Sequence, residues 1–389
     1  MLADLRMSHV VAGIVAVLVG YTGSVAIIFQ AIEAAGASQA QANSWMLALG
    51  VGCGVSSLYL SLRHRMPVLT AWSTPGAALL AVALPGVPLG EAVGAFVFCG
   101  VLLWLTGVTG WFEKLAKVIP DAIANAMLAG VLFQFGLGVF TALPDAPVLV
   151  GAMCVAFLAG RLLMPRMAIP LVLLVGIGVA VASGQFQGGV GALEIARPVF
   201  VMPEWSLSVM IGVGVPLYLV TMSSQNMAGV VVLKASGYAP PVSSALSVTG
   251  LLSLALAPFG GFAINLAAIT AAICAGPEAG EDKATRYWAA AVSGVVYLLL
   301  GLFGAAVVSL FLVAPKALVV TVAGLALLAT IGNALNGALE RPSAREAALV
   351  AFLVTVSGIS FAGIASPVWG LLFGVTVLYV LSPEDRPWA

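Results

Sequence analysis

The stretch TAWSTPGAALLA, residues 70–81, places three hydroxyl side chains and a Pro-Gly pair inside a segment that is otherwise apolar. Pro75 has no backbone N–H and Gly76 is a poor helix former, so both disfavour an unbroken helix here. Ser73 or Thr74 is a suitable N-cap, with Pro75 at the first helical position. The sequence therefore predicts extended backbone followed by a half-helix that begins near Thr74.

The composition of the whole chain is that of a membrane protein. Its 389 residues are 62% hydrophobic and 8% charged, and the mean hydropathy is +1.14. About a quarter of the residues of an average soluble protein are charged. Many of the apolar runs reach the roughly 20 residues that cross a bilayer as a helix. The sequence thus predicts an all-α polytopic membrane protein.

We place fourteen membrane-spanning segments along the chain. They cover approximately residues 10–33, 40–62, 67–84, 90–111, 119–142, 146–163, 166–183, 206–229, 240–257, 261–275, 285–312, 316–339, 345–364 and 366–382. The positive-inside rule tests this count, because cytoplasmic loops collect Lys and Arg. With both termini in the cytoplasm, only Arg197 and Lys316 of the 15 Lys and Arg lie outside. We therefore expect a multi-pass protein with both termini in the cytoplasm.

The two halves of the chain resemble each other. VIPDAIANAMLAGVL (118–132) is similar to VAPKALVVTVAGLAL (313–327), although both are rich in Ala and Val and chance similarity is the alternative. The offset between them is 195 residues, so each half holds seven segments and the second half enters the membrane from the opposite side. Inverted repeats of this kind are typical of secondary transporters. We predict repeats at 1–195 and 196–389.

The same offset carries residues 70–81 onto 265–276, NLAAITAAICAG, which directly follows APFGGFAI (257–264). The proline and glycines of this second stretch interrupt a segment at the matching place of the other half, which points to a transporter binding site. Two half-helices that begin near the bilayer midplane present free N–H groups and positive dipole ends, as a small anion requires. The alternative for each segment alone is an ordinary kinked helix.

Segments 1 and 8 carry further polar side chains. Tyr21 and Ser24 lie within GYTGSVAIIFQ of segment 1, and Gln225 and Asn226 lie within LYLVTMSSQNMAG of segment 8. Polar groups inside a membrane line a cavity or hydrogen bond between helices, and the sequence leaves both open for each residue.

Several function classes lack their sequence signals. The four cysteines are scattered and no metal, nucleotide or hydrolase motif occurs, so we predict neither enzyme activity nor a metal or cofactor. The formal net charge of zero gives no basic surface for nucleic acid. No Asp or Glu lies clearly inside a segment, and Glu33 and Asp121 fall near segment ends.

Four stretches carry a likeness to known proteins, namely SHVVAGIVAVLVGYTGSVAIIFQA (8–31), TAWSTPGAALLA (70–81), NMAGVVVLKASGY (226–238) and PFGGFAINLAAITAAICAGPEA (258–279). They resemble the bacterial benzoate–proton symporter family, the benzoate membrane transport proteins, and the likeness runs through essentially the whole chain. This family is similar in fold to nucleobase permeases and related anion transporters.

The resemblance implies a core domain, mainly segments 1–4 and 8–11, and a gate domain, mainly segments 5–7 and 12–14. It also implies a short strand and a half-helix in each of segments 3 and 10. Nucleobase permeases have glutamates in segments 8 and 10, where this chain has Gln225 and Ile264 or Asn265. An amide does not repel a carboxylate as a glutamate does, so this departure fits benzoate and leaves the proton route open.

The sequence thus predicts a secondary active transporter that imports benzoate, or a close aromatic carboxylate, with a proton by alternating access. The candidate binding residues lie at the two breaks and in segments 1 and 8: Tyr21, Ser24, Ser73, Thr74, Gly76, Gln225, Asn226 and Asn265. Either Glu33 or Asp121 relays the proton, or the substrate carries it as the neutral acid. The alternatives are an anion exchanger or uniporter on the same fold, and a channel. The resemblance further implies a location in a bacterial inner membrane and a homodimer through the gate domains.

Overall fold

The structure is a computed structural model of the chain, and it describes residues 4–112, 120–185, 195–359, 361 and 364–381. Within these residues the helices are α1 (Met7–Ala34), α2 (Gln39–His64), α3 (Thr74–Ala83), α4 (Leu89–Thr109), α5 (Asp121–Thr141), α6 (Pro147–Leu163), α7 (Ala168–Ala182), α8 (Leu207–Ala235), α9 (Val242–Leu256), α10 (Ile269–Ala275), α11 (Tyr287–Leu302), α12 (Gly304–Val313), α13 (Lys316–Leu339), α14 (Arg345–Val356) and α15 (Ser366–Leu381). The strands β1 (Thr70–Trp72) and β2 (Ile264–Leu266) precede α3 and α10. The described chain is therefore mostly helical, as the sequence predicts.

Most of the long helices are able to cross a bilayer. Among the described residues, seven helices have the required length and apolar composition, namely α1, α2, α4, α5, α8, α9 with its continuation to Phe259, and α13. Helices α11 and α12 form one further apolar pair, bent by 60° at the break between them. Helices α3, α6, α7 and α15 are apolar but shorter. Elements of the structure lie in all fourteen predicted segments, but the count of fourteen crossings stays a prediction.

The breaks in segments 3 and 10 lie where the sequence places them. Ser73 is the N-cap of α3, so Thr74 is its first residue and Pro75 its second rather than its first. In the other half the chain leaves α9 through a 3₁₀ turn, and Gly260 follows with a φ of +90°. Only a residue without a Cβ adopts this φ easily, and a Cβ here would also collide with the indole of Trp45. Both segments are thus a short strand followed by a half-helix.

Helix pairs on either side of the breaks pack through small residues. Helix α2 packs along α11, and α4 packs along α9. At Gly50 the backbones of α2 and α11 come so close that a Cβ would lie 2.5 Å from the Cα of Gly301. At Gly100 a Cβ would lie 2.7 Å from the backbone nitrogen of Leu254 in α9. Close backbone approach at small residues is the usual basis of helix packing in membranes, and these two pairs frame the broken segments.

Candidate substrate-binding site

The two broken segments meet through their strands. β1 and β2 pair antiparallel, with Thr70 opposite Leu266, Ala71 opposite Asn265 and Trp72 opposite Ile264. Two backbone bonds extend the pairing, from Ser73 N to Ala263 O at 3.0 Å and from Ala267 N to Leu69 O at 2.9 Å. This pairing joins the two breaks, so α3 and α10 begin at opposite ends of one small sheet.

Side chains of three helices satisfy the outer backbone groups of this sheet. Ser57 Oγ of α2 accepts from Thr70 N at 3.0 Å, and Ser253 Oγ of α9 accepts from Ile264 N at 2.8 Å. Asn226 Oδ1 of α8 accepts from Leu266 N at 3.0 Å. Unpaired backbone groups are costly in the membrane interior. The polar residues of these helices thus allow extended backbone within the bundle.

The amino terminus of α3 is largely occupied by its own cap. Ser73 Oγ accepts from Gly76 N at 3.0 Å, and Ser73 O accepts from Ala77 N at 2.8 Å. Pro75 has no N–H to offer. The amide of the half-buried Thr74 is therefore the donor of this first turn that has no partner among the described residues. Ser73 and Gly76, both predicted as ligands, contribute to this cap.

The amino terminus of α10 is open by comparison. Ala268 occupies the N-cap position and has no side-chain oxygen to accept from the first amides. At the other end, the guanidinium of Arg286 donates to Ala275 O at 2.9 Å and so caps the carboxyl terminus. The two tips are therefore not equivalent, because only the α3 tip is closed by a serine.

Asn265 carries a buried acceptor without a donor. Its side chain is fully buried, and Nδ2 donates to Ala263 O at 3.0 Å. Its Oδ1 has no hydrogen-bond partner among the described residues. Residues paired directly across an antiparallel sheet point to the same face, and the partner Ala71 is only half-buried. Asn265 therefore lies on the same face of the sheet as the half-buried Ala71.

Helix α1 lies against both tips. Tyr21 packs edge-on against Trp72 at 5.3 Å between ring centroids, and Trp72 Nε1 donates to Ser24 Oγ at 2.7 Å. The Tyr21 hydroxyl is buried and has no partner among the described residues. A Cβ on Gly20 would lie 2.8 Å from the Thr270 side chain of α10. Of the two predicted α1 residues, Ser24 holds Trp72 in place and Tyr21 keeps a free hydroxyl.

The predicted pair in α8 separates into two roles. Asn226 is fully buried and holds β2 through its amide oxygen. Gln225 is half-buried, and its amide has no hydrogen-bond partner among the described residues. Gln225 is therefore the member of the pair that remains free to meet a ligand.

Glu33 and Asp121 lie apart from this cluster, at exposed helix ends. Glu33 occupies the last turn of α1 and pairs with Lys316 at 3.9 Å, with 75% of its side chain exposed. Asp121 is exposed in the first turn of α5. Their role in proton transfer stays a prediction.

Two residues at the breaks were not among the predicted site residues. Trp72 supplies an aromatic face next to the α3 tip, and Thr221 Oγ1 donates to Ser73 Oγ at 3.1 Å. The sequence offered one signal for Trp72, because it places an indole N–H donor directly before the predicted N-cap of the half-helix. Thr221 gave no such signal, because a hydroxyl in a helix usually bonds to its own backbone.

Comparison with known proteins agrees with this architecture. A family described as "Benzoate membrane transport protein" matches residues 3–380. The chain is 47% identical over 371 residues to the inner membrane protein YdcO of Escherichia coli, covering 95% of each chain. It is 40% identical over 378 residues to the benzoate membrane transport protein of Acinetobacter baylyi, covering 97% of this chain and 96% of that one.

Two solved structures share the fold at low sequence identity. The transmembrane domain of the cyanobacterial bicarbonate transporter BicA has a TM-score of 0.61 at 15% identity, over 96% of this chain and 98% of that one. SLC26A9 has a TM-score of 0.57 at 14% identity, over 95% of this chain and 65% of that one. The family match, the two sequence relatives and the membrane-spanning helices together show that the chain is a multi-pass inner-membrane transporter and not an enzyme. By its sequence along nearly its full length, it belongs to the benzoate membrane transport protein family.

Proposed function

We propose that the chain imports benzoate, or a closely related aromatic carboxylate, together with a proton by alternating access. The observation that carries this proposal is the antiparallel pairing of β1 with β2, which holds two half-helix amino termini at the two ends of one three-residue sheet. The name of the Acinetobacter relative supports benzoate as the substrate.

The carboxyl group of the substrate lies between the two tips in this proposal. The Thr74 amide and the uncapped first turn of α10 donate to its acceptor oxygen, and the positive dipole end of each helix favours an electron-rich oxygen there. The aromatic ring rests beside Tyr21 and Trp72, which pack edge to face. Gln225 approaches from α8. No basic side chain is needed in this arrangement.

The proton travels on the substrate in this proposal, as the neutral carboxylic acid. A protonated carboxyl has one acceptor oxygen and one O–H donor. The tip amides suit its acceptor, and the orphaned Asn265 Oδ1 suits its donor. The other route, a relay through Glu33 or Asp121, needs a proton to pass between exposed helix ends and a buried site. Transport of the neutral acid therefore gives hydrogen-bond partners to more of the polar atoms at the site.

Transport requires two domains that move against each other. We propose fourteen crossings in two inverted repeats, 1–195 and 196–389, with both termini cytoplasmic. The starts of α3 at Thr74 and α10 at Ile269 differ by the offset of 195 seen in the sequence. Exchanging the halves also converts the pair α2–α11 into the pair α9–α4, and both pairs are packed. The gate domain then consists mainly of segments 5–7 and 12–14.

Uptake of labelled benzoate into proteoliposomes tests the function. We expect concentrative uptake when the inside is alkaline, and its collapse when a protonophore is added. Uptake that ignores the protonophore but accelerates with benzoate loaded inside would favour the anion exchanger instead. Linear uptake without saturation would favour a channel. Parallel assays with uracil and bicarbonate test the substrate class.

A further inference from the structure

Helix α8 contacts both broken segments through hydrogen bonds at the two ends of one short stretch. This stretch, Thr221–Asn226, is π-helical. At its start, Thr221 Oγ1 donates to the α3 cap, Ser73 Oγ, at 3.1 Å. At its end, Asn226 Oδ1 accepts from the β2 amide, Leu266 N, at 3.0 Å. One segment of α8 therefore bonds to both halves of the candidate site.

Close packing reinforces the two hydrogen bonds. A Cβ on Gly76 would lie 2.7 Å from the Leu217 side chain, so α8 presses on the first turn of α3. A Cβ on Gly229 would lie 2.6 Å from the Cβ of Leu266, so α8 also presses on β2. Leu217 and Thr221, which contact α3, lie before the π-helical stretch and at its start. Asn226 and Gly229, which contact β2, lie at its end and after it.

The π-helical geometry is what places these contacts on one face. Successive residues of an α-helix turn by about 100°, so Thr221 and Asn226 would point about 140° apart. A π-helical turn bonds i to i+5, so residues five positions apart come closer to one face than in an α-helix. Thr221 and Asn226 both face the breaks, as their hydrogen bonds to Ser73 and Leu266 require.

We propose that the stretch Thr221–Asn226 is a positioning clamp that fixes the separation of the two half-sites. Thr221 and Asn226 are positioning residues that hold the α3 cap and β2, and Gln225 faces the ligand between them. In this proposal Asn226 positions β2, whereas the sequence predicts that Asn226 binds the substrate. This inference rests on the proposed site between the half-helix tips.

The first experiment measures the clamp without any ligand. Hydrogen–deuterium exchange of the purified, empty protein is followed in peptides that cover Leu266. We expect Asn226→Leu to raise exchange there at least about fivefold, because the amide loses its acceptor. The control is Ser223→Ala, since Ser223 is exposed and, among the described residues, its hydroxyl bonds only to Leu219 O of its own helix. Equal exchange in Asn226→Leu and wild type would overturn the clamp.

The second experiment uses benzoate and does not depend on Asn226→Leu being well folded. We expect Thr221→Val to raise the Kd for benzoate by about 3- to 10-fold, the range of one hydrogen bond. Thr221→Ser keeps the hydroxyl and is expected to restore wild-type binding, which a purely steric role would not predict. A wild-type Kd in Thr221→Val would overturn the proposal. Wild-type protein that binds no benzoate, with the exchange result intact, would instead refute the proposed function alone.

Discussion

At the scale of single residues, the polar atoms around the two breaks fall into two groups. The hydroxyls of Ser24 and Ser73 and the amide oxygen of Asn226 already hold protein partners. The Tyr21 hydroxyl and the Asn265 amide oxygen are buried without a partner among the described residues. A buried unpaired polar atom costs about 1–3 kcal/mol. The second group therefore gains most when a ligand arrives.

Tyr21→Phe is expected to have opposite effects on the empty and the loaded protein. The variant keeps the ring against Trp72 and removes the unpaired hydroxyl, so the empty protein gains roughly 1 kcal/mol of stability. Benzoate loses a donor, and its affinity falls about 3- to 10-fold. Thermal unfolding with and without benzoate measures both effects. An unchanged affinity would remove Tyr21 from the site.

Asn265→Ala is expected to reduce benzoate affinity by about tenfold or more, because it removes the buried acceptor that the proposed substrate O–H meets. The matched control is Asn43→Ala in α2, since Asn43 also has a buried, unpaired amide oxygen but lies outside the candidate site. Benzoate binding to the two purified variants makes the comparison. Equal affinities in both variants would show that the Asn265 oxygen does not meet the substrate.

At the scale of elements, the small sheet depends on the helices around it. Two strands of three residues each cannot satisfy their outer backbone groups alone, and serines of α2 and α9 supply the missing acceptors. These polar side chains lie in otherwise apolar helices. Their role in holding the strands explains them without any contact to substrate.

Ser253→Ala therefore tests the support of the sheet. It leaves the Ile264 amide buried without an acceptor, and we expect a loss of about 1–3 kcal/mol in stability. Ser247→Ala in the same helix is the control, because the exposed Ser247 hydroxyl bonds, within the part of the chain that the structure describes, only to Ser243 O one turn earlier. Thermal unfolding of the empty proteins is the measurement. Similar midpoints for both variants would contradict the role of Ser253.

At the scale of the whole molecule, one ion pair between described residues joins two helix ends. The pair between Glu33 and Lys316 links the end of α1 to the start of α13. These two helices belong to different domains in the proposed division. Both side chains are mostly exposed, and such pairs contribute little to stability. The pair therefore does not hinder a movement between the proposed domains.

The neutral-acid route makes a clear prediction about the two carboxylates. Uptake driven by a pH gradient is expected to stay close to the wild-type rate in Glu33→Gln, in Asp121→Asn and in the double variant. The reason is that the substrate itself carries the proton. Proteoliposome uptake with and without the gradient is the measurement. Loss of gradient dependence with binding intact would move the proton onto one of these residues.

The sequence by itself determined the class and the place of the breaks. Its apolar runs identify a membrane protein, and its Pro-Gly and Gly-Gly pairs interrupt two segments where the structure has β1–α3 and β2–α10. These features are local, because a missing N–H or a missing Cβ acts on its own turn. The start of α3 near Thr74 was predictable for this reason.

The tertiary structure alone decided which polar atoms have hydrogen-bond partners within the protein and which have none among the described residues. Asn226 and Gln225 are neighbours in sequence, yet one holds β2 and the other has no partner among the described residues. Thr221 meets Ser73 across 148 positions of sequence separation. Hydrogen-bond partners at such separation depend on how helices pack and on a π-helical stretch in α8. Residue type and spacing cannot specify them, because the partner comes from another element.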